Sequence, residues 1–286
     1  MSEQLTVSVP GSSANLGPGF DTLAAALDRR LRLVVRPAPE FKLVTDLDLP
    51  KDRSNLLVRA FERVLPADNF AFEVDSDIPL CGGLGSSASA VVAGVLAAQA
   101  LGGECPDPLA LAIEVDGVPD NSTAAMHGGI TITVGGVVSR INPPASVELV
   151  VVAPTDSVHT NDARRALPAT VDLAAASSNA GYAAALGAGL ASDDVELIAH
   201  GLHDTLHQQA RASLFPRSAD LLERATELGA IGATISGAGP AVLFWCLAGS
   251  RAEVVDSLSA ETSGWATVFE VGFDDLGATV EREAIG

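Results

Sequence analysis

Gly82, Gly83 and Gly85 stand directly before Ser86 and Ser87 in the stretch DIPLCGGLGSSASAVVAGVLAAQA, Asp77 to Ala100, which continues as small apolar residues almost without charge. Glycine and serine both weaken an ordinary helix start, so their accumulation here asks for another reason. A helix N-terminus leaves about four backbone N–H groups without intrahelical partners and carries roughly half a positive charge. Glycines in front of it let an anion approach those donors where a Cβ would stand in the way. The two hydroxyls add ligands for a phosphate oxygen or a metal ion. The chemistry this spacing suggests is phosphate binding, with Ala88 to Leu101 as a buried helix behind the loop. The same composition also suits a turn that caps a core helix and binds nothing.

A Walker A loop needs Gly-Lys-Ser or Gly-Lys-Thr, and the chain has lysine only at Lys42 and Lys51, so that reading fails. The run Gly83-Leu84-Gly85-Ser86-Ser87-Ala88 does fit the G-x-G-x-x-A pattern of dinucleotide folds, with Glu104 downstream where a ribose contact would lie. Against it, the preceding strand ends near Val74 and Pro79 intervenes, whereas the dinucleotide turn follows its strand directly.

The secondary structure around this loop follows from periodicity. LTVSVP alternates at Leu5, Val7 and Val9 and predicts a strand, followed by a Gly/Pro/Asn loop and then by TLAAALD, which reads as a short helix or a second strand. RLRLVVRP and FAFEVDSDIP read as strands, and SNLLVRAFERVLP as a helix with Ser54 at its N-cap. PDPLALAIEVDG reads as a short helix starting near Asp107. GGITITVGG and VELVVVAP follow as strands, then two long helical segments, Asp172 to Leu190 and Asp194 to Leu228. GATISGAGPAVLFWCL reads as a hairpin and ATVFEVGFD as the final strand. Strands grouped with helices, without strict alternation, predict an α+β chain of two layered domains, divided near Pro154 to Asp162, here placed at residues 1–155 and 156–286. No internal repeat is present.

Composition narrows the function classes. With 286 residues, 48% hydrophobic and 19% charged, the chain can bury a sizeable core and is expected to be ordered almost throughout. A formal net charge of −19 disfavours nucleic acid as a partner, since phosphate binding at that scale needs a basic face. No secretory leader is apparent, and the longest apolar run is too short to cross a bilayer, which predicts a cytoplasmic protein without membrane attachment. Cys81, Cys105 and Cys246 lack the spacing of a disulfide framework or zinc knuckle and read as reduced thiols.

The stretch PLCGGLGSSASA resembles the second motif of the GHMP kinases, small-molecule kinases for galactose, homoserine, mevalonate and phosphomevalonate. VPGSSANLGPGFDTLAAALD, Val9 to Asp28, is similar to the N-terminal motif of the homoserine kinases within them, and GATISGAGPAVLFW to the third GHMP motif. NDARRALP, HDTLHQQARASLFP and GVPDN add homoserine-kinase-like detail. The resemblance implies the two-domain GHMP kinase fold: an N-terminal domain like ribosomal protein S5 domain 2 and a ferredoxin-like C-terminal domain. It implies transfer of the γ-phosphoryl of ATP, with Mg²⁺, to the hydroxyl of L-homoserine on the route to threonine, and it allows a homodimer.

Carried over residue by residue, the resemblance implies nucleotide contacts along Pro79, Leu80, Cys81, Gly82, Gly83, Leu84, Gly85, Ser86, Ser87, Ala88 and Ser89. It implies Mg²⁺ held by Glu114 with Ser87 as helper, Asp116 being the fallback ligand. Arg164 and Arg211 match two carboxylate-binding arginines, with Arg165 a decoy, and Asp21 matches the contact to the substrate amine. Asn15 and Asn121 match amides near the reacting hydroxyl, and Gly239 a substrate-side glycine. Taken singly, Asn15 and Asp21 could equally be turn formers in their Gly/Pro-rich loop. No residue stands out as a dedicated base, so the hydroxyl proton is expected to leave late, to the phosphoryl group itself. One departure stands in GVPDN: the family pattern has histidine where this chain has Val118, which cannot hydrogen-bond. His127 or His207 could supply the missing contact. Otherwise another GHMP substrate, of the mevalonate type or an altered hydroxy amino acid, is the alternative.

Overall fold

In the first element, β1 (Glu3–Ala14), Leu5, Val7 and Val9 are buried while Thr6 and Ser8 between them are only half-buried, the alternation that a strand with one face on the core requires. The computed structural model describes residues 3–80, 82–156 and 160–284. β2 (Leu23–Pro37) absorbs both TLAAALD and RLRLVVRP, so the segment open between helix and strand is strand. After β3 (Lys42–Val44), α1 (Leu56–Glu62) is capped by Asn55, whose Oδ1 accepts from the Leu57 N–H at 3.0 Å, one residue later than the expected Ser54. Such a cap is worth ~1 kcal/mol. β4 (Phe70–Ser76) leads through the glycine loop into α2 (Ser86–Ala100). α3 (Pro108–Asp116) starts on the expected Asp107 cap, and α4 (Pro119–His127), β5 (Ile130–Val134) and β6 (Val137–Ile141) complete this half.

α2 has no polar stripe: small residues line it all round, and Val91, Val92, Ala93, Val95, Ala97 and Ala98 are fully buried. The small side chains let α1 come very close. A Cβ added at Gly94 would stand 2.3 Å from the Leu57 carbonyl, so the helix pair depends on glycine there.

The second half contains β7 (Val147–Pro154), α5 (Thr160–Arg165), α6 (Leu173–Ser192), α7 (Val195–Gly201), α8 (Gln208–Arg211), α9 (Pro216–Glu223), β8 (Gly232–Ile235), β9 (Val242–Leu247), α10 (Arg251–Glu261), β10 (Ala266–Val271) and β11 (Thr279–Ala284). One sheet runs β11-β1-β2-β4-β3, with β5 on β2 and β6 on β5; the other runs β10-β7-β9-β8. The second is a βαββαβ unit with its strands in ferredoxin-like order, all antiparallel.

The sheets cross the expected division at residue 155: β7, which ends at Pro154, lies in the second sheet, and β11 returns to pair with β1. ATVFEVGFD is therefore not the last strand. The long helix expected over Asp194 to Leu228 is α7, α8, a 3₁₀ turn at Ala212–Leu214 and α9. Asp204 interrupts it, because its carboxylate accepts from the N–H groups of Leu206, His207 and Gln208 and restarts the chain as α8. One continuous core joins the two sheets, with Val7, Leu33 and Val92 in the same cluster as Leu149, Leu243 and Trp245. Among the described residues no helix is long and apolar enough to cross a membrane.

Candidate active site

The glycine loop is wedged between β1 and the turn that joins β8 to β9. Gly83 has φ +93°, and a Cβ on it would lie 2.4 Å from the Ser236 carbonyl. Gly85 is the N-cap of α2 in the left-handed conformation, φ 68°, with Ser12 Oγ 2.1 Å from where a Cβ would sit. The Ser12 N–H donates to the Leu84 carbonyl at 3.1 Å, the Ser236 hydroxyl donates to the Gly83 carbonyl, and the Gly237 N–H donates to the Ala14 carbonyl at 3.0 Å. These bonds fix the loop from both sides. The first intrahelical N–H is that of Ser89, which reaches the Gly85 carbonyl at 2.9 Å, so the amides of Ser86, Ser87 and Ala88 open into the pocket these residues line. Open amides at the start of a 15-residue helix are an arrangement able to take an anion.

Across the pocket stand Asn15, Asp21, Asp116, Val118, Asp120, Asn121, Thr160, Arg164, Arg211 and Gly239. Ser12 Oγ donates to Asn121 Oδ1 at 2.8 Å, which turns the amide so that its NH₂ is the end left for a ligand. Arg164 grips Asp21 with two N–H groups, at 3.0 and 3.2 Å. Arg211 is buried, donates from Nε to the Ala163 carbonyl at 3.1 Å and lies over the Phe20 ring, so one guanidinium ties α5 and α8 together at the pocket wall.

Two acids two residues apart on α3 point in different directions. Glu114 is exposed and paired with Arg63 at 2.8 Å, away from the pocket. Asp116 lines the pocket, accepts from Ser87 Oγ at 3.0 Å, and burial pushes its carboxyl above the usual range. Glu114, expected to hold the metal, thus lies away from the pocket, and the carboxylate beside Ser87 is that of Asp116, the fallback ligand. Other expected contacts fall away for equally local reasons. Leu84 is buried in the core, and the Ser89 hydroxyl is spent on the Pro10 carbonyl at 2.7 Å and the Gly85 carbonyl at 3.0 Å. Pro79 and Leu80 do not line the pocket, and Cys81 lies outside the described residues. Asn15 lines it, but Nδ2 donates to the Gly237 carbonyl at 2.6 Å and Oδ1 accepts from the Asp21 N–H at 3.0 Å, which makes it chiefly a brace. Arg165 is exposed, bonds Asp162 and does not line the pocket.

Neither histidine replaces the imidazole missing at Val118. His127 is exposed and outside the pocket, and His207 is fully buried behind Arg211. Residue spacing alone assigns no role to Asp120, Thr160, Ser12 or Ser236. Asp120 falls in the quoted GVPDN, Ser12 in VPGSSANLGPGFD and Ser236 in GATISGAGP, while Thr160 lies outside every quoted motif.

Asp120 is the most perturbed acid of the pocket. Burial pushes its carboxyl from 3.8 up to about 6, Asp21 and Asp116 add to the push, and the Asn121 N–H and Arg164 hold it down. The folded protein thus binds this proton more tightly than the unfolded chain, so ionisation costs stability above about pH 6, and the cost disappears as pH falls towards 4. Asp120→Asn is expected to raise Tm at about pH 7.5, by a margin worth on the order of 2–3 kcal/mol at most, and the margin should vanish near pH 4 while turnover falls at every pH. Thermal unfolding of both proteins across that range checks it; a Tm difference that does not change with pH would contradict the assignment.

The family model described as GHMP kinases N terminal domain matches residues 55–129, and that described as GHMP kinases C terminal matches residues 183–263. The chain is 40% identical over 256 residues to a homoserine kinase of Deinococcus radiodurans, covering 83% of each. It is 38% identical over 265 residues to one of Parasynechococcus marenigrum, covering 85% of this chain and 84% of that one. The crystal structure of homoserine kinase from Cytophaga hutchinsonii superposes with a TM-score of 0.87 at 27% identity, covering 97% of both chains. Mevalonate kinase of Methanococcus jannaschii, at 16% identity and a TM-score of 0.70 over 94% of this chain and 98% of that one, shares the fold.

Proposed function

The chain belongs to the GHMP kinases, and from that premise we propose that it transfers the γ-phosphoryl group of ATP to the side-chain hydroxyl of L-homoserine, releasing ADP and O-phospho-L-homoserine. The observation that carries the reading is one pocket lined both by the open amides of Ser86, Ser87 and Ala88 and by Asp21, Asp120, Arg164 and Arg211. The first set suits a polyphosphate; the second supplies acids for an ammonium group and guanidinium groups for a carboxylate, the two ends of a free amino acid.

The α2 amides would hold the phosphate oxygens where negative charge gathers during transfer, in a site whose dipoles are already aimed. Ser87 and Asp116 fit a hard cation: Asp116 is a half-buried carboxylate with a hydroxyl at 3.0 Å and no arginine or lysine partner among the described residues. Those residues contain no cluster of three or more metal-ligating acids, histidines or cysteines, so Mg²⁺ here would take its remaining ligands from phosphate and water. When bound, Mg²⁺ supplies neutralisation of charge on the phosphate chain. Asn121, turned by Ser12, would direct its NH₂ at the substrate oxygen, and Arg164 with Arg211 would fix the carboxylate so that the hydroxyl meets the phosphorus in line. No side chain is required to take the hydroxyl proton before transfer, since the transition state gathers little charge on the attacking oxygen.

ATP consumption measured with L-homoserine, mevalonate and shikimate side by side tests the reading, with ³¹P NMR identifying the product. Homoserine is expected to give the largest kcat/KM. Turnover of mevalonate with none of homoserine would replace this substrate by the mevalonate-type alternative that Val118 left open.

A further inference from the structure

Three of the five N–H donors of Arg211 are committed within the protein. Its Nε–H goes to the Ala163 carbonyl at 3.1 Å, and Nη1 reaches the Gly237 carbonyl at 3.3 Å and Nδ1 of His207 at 3.1 Å. A guanidinium carries five N–H groups, so these bonds leave the pair on Nη2 for the pocket that Arg211 lines. The direction of that last pair depends on where Nη1 is held.

Arginine can only donate, so the contact with His207 needs a lone pair on Nδ1. The other ring nitrogen, Nε2, lies 2.8 Å from the Gly17 carbonyl, which can only accept, so the proton sits on Nε2. The two neighbours thus select one neutral tautomer. Burial favours the neutral ring as well and lowers its pKa below the ordinary histidine value; Arg211 acts in the same direction, and Asp204, Asp21 and the Gly17 carbonyl act against it. Asp204 Oδ1 is 3.7 Å from Nε2, and this carboxylate is already engaged by the N–H groups of Leu206, His207 and Gln208. The Phe20 ring, 5.2 Å from that of His207 and 5.3 Å from the Arg211 guanidinium carbon, closes the remaining side.

We infer that His207 is a positioning residue for substrate recognition: its bare Nδ1 aims Arg211 at the substrate carboxylate, while its Nε2–H fastens the ring to the Gly17 loop. The inference rests on homoserine as substrate only in naming the carboxylate; the orientation of Arg211 stands on the bonds themselves.

Two substitutions separate aiming from packing. His207→Gln keeps a donor at the place of Nε2 and loses the acceptor at the place of Nδ1, whereas His207→Asn keeps the acceptor and loses the reach to Gly17. In His207→Gln the KM for L-homoserine is expected to rise about 10-fold or more, because a displaced guanidinium misses the carboxylate, with kcat changed far less. His207→Asn should recover most of that loss. With homoserine methyl ester, which has no carboxylate, His207→Gln and wild type should have matching KM values. The opposite ranking of the two variants, or an equal KM rise with the ester, would show a ring that merely supports the Gly17 loop and would overturn the inference. Wild-type protein that left homoserine untouched would sink the functional reading instead. ¹⁵N NMR of histidine-labelled protein, assigned with His207→Asn, then decides independently of turnover: an unprotonated Nδ1 at neutral pH is expected, and a protonated one rules out the bond to Arg211.

Discussion

Asp116→Asn is expected to lower kcat by about 10²- to 10³-fold and to raise the Mg²⁺ concentration needed for half-maximal rate, whereas Glu114→Gln should change either by less than about threefold. The contrast follows from the helix they share. Residues two apart on an α-helix are separated by about 200° of rotation, so α3 cannot present both carboxylates to the same pocket. Glu114 faces outward to Arg63 in an exposed ion pair, of a kind worth little. Asp116 faces Ser87 at 3.0 Å and Ser122 at 3.5 Å. Its carboxyl is held up by burial, with only hydroxyl groups to stabilise the charge. A carboxylate in that position gains most from a cation, and an amide cannot replace its charge. Steady-state rates over a magnesium titration for the two variants decide the matter. A collapse in Glu114→Gln with Asp116→Asn near wild type would return the metal role to Glu114 and would require α3 to rotate by half a turn.

The choice between these two acids lies beyond what the sequence can settle. The glycines and serines at residues 82–87 were legible because their purpose is local: positive φ and open amides at a helix start leave a compositional mark wherever they occur. The same holds for the Asp107 cap and for the strand periodicity of β1 and β4. Which of two acids on one helix faces the pocket depends on how α3 packs, and a single turn of helix offers both. Sheet membership was hidden for a similar reason. VELVVVAP is buried on both faces, as an interior strand of either sheet would be, and nothing in its pattern says which. β11 carries Thr279-Val280-Glu281-Arg282-Glu283-Ala284, an exposed charged edge strand whose partner lies at the other end of the chain. Ser12 and Ser236 looked like ordinary strand and turn residues, since their work consists of bonds to Asn121 and to the Gly83 carbonyl that only the folded pocket brings within reach.

Gly85→Ala should abolish most activity through geometry alone, with kcat/KM for ATP falling about 100-fold or more. The new methyl group meets two costs. Gly85 has φ 68°, a conformation that alanine adopts only with strain, and its Cβ would lie 2.1 Å from Ser12 Oγ and 2.9 Å from Ser12 N. Ser12 cannot retreat freely, because its stretch of β1 is paired to β2, with Ser12 opposite Ala26. Either the loop moves outward, taking the α2 amides away from the phosphate, or the Ser12 hydroxyl leaves Asn121 Oδ1 and the amide on the acceptor side loses its orientation. Both routes reach the reacting groups, and crowding of this kind should also cost about 1–3 kcal/mol of stability. Gly102→Ala separates strain from collision: Gly102 has φ +101°, but a Cβ there meets nothing within 4 Å, so Tm should drop slightly while kinetics stay near wild type. Removing the hydroxyl in Gly85→Ala/Ser12→Ala relieves the shortest contact and should recover part of the ATP affinity but not the rate, since Asn121 then lacks its anchor. Kinetics of the three variants with ATP varied at saturating acceptor, alongside thermal unfolding, test this directly. A Gly85→Ala protein with both constants within about threefold of wild type would mean that the turn between Gly83 and Ser87 is not where the nucleotide is held.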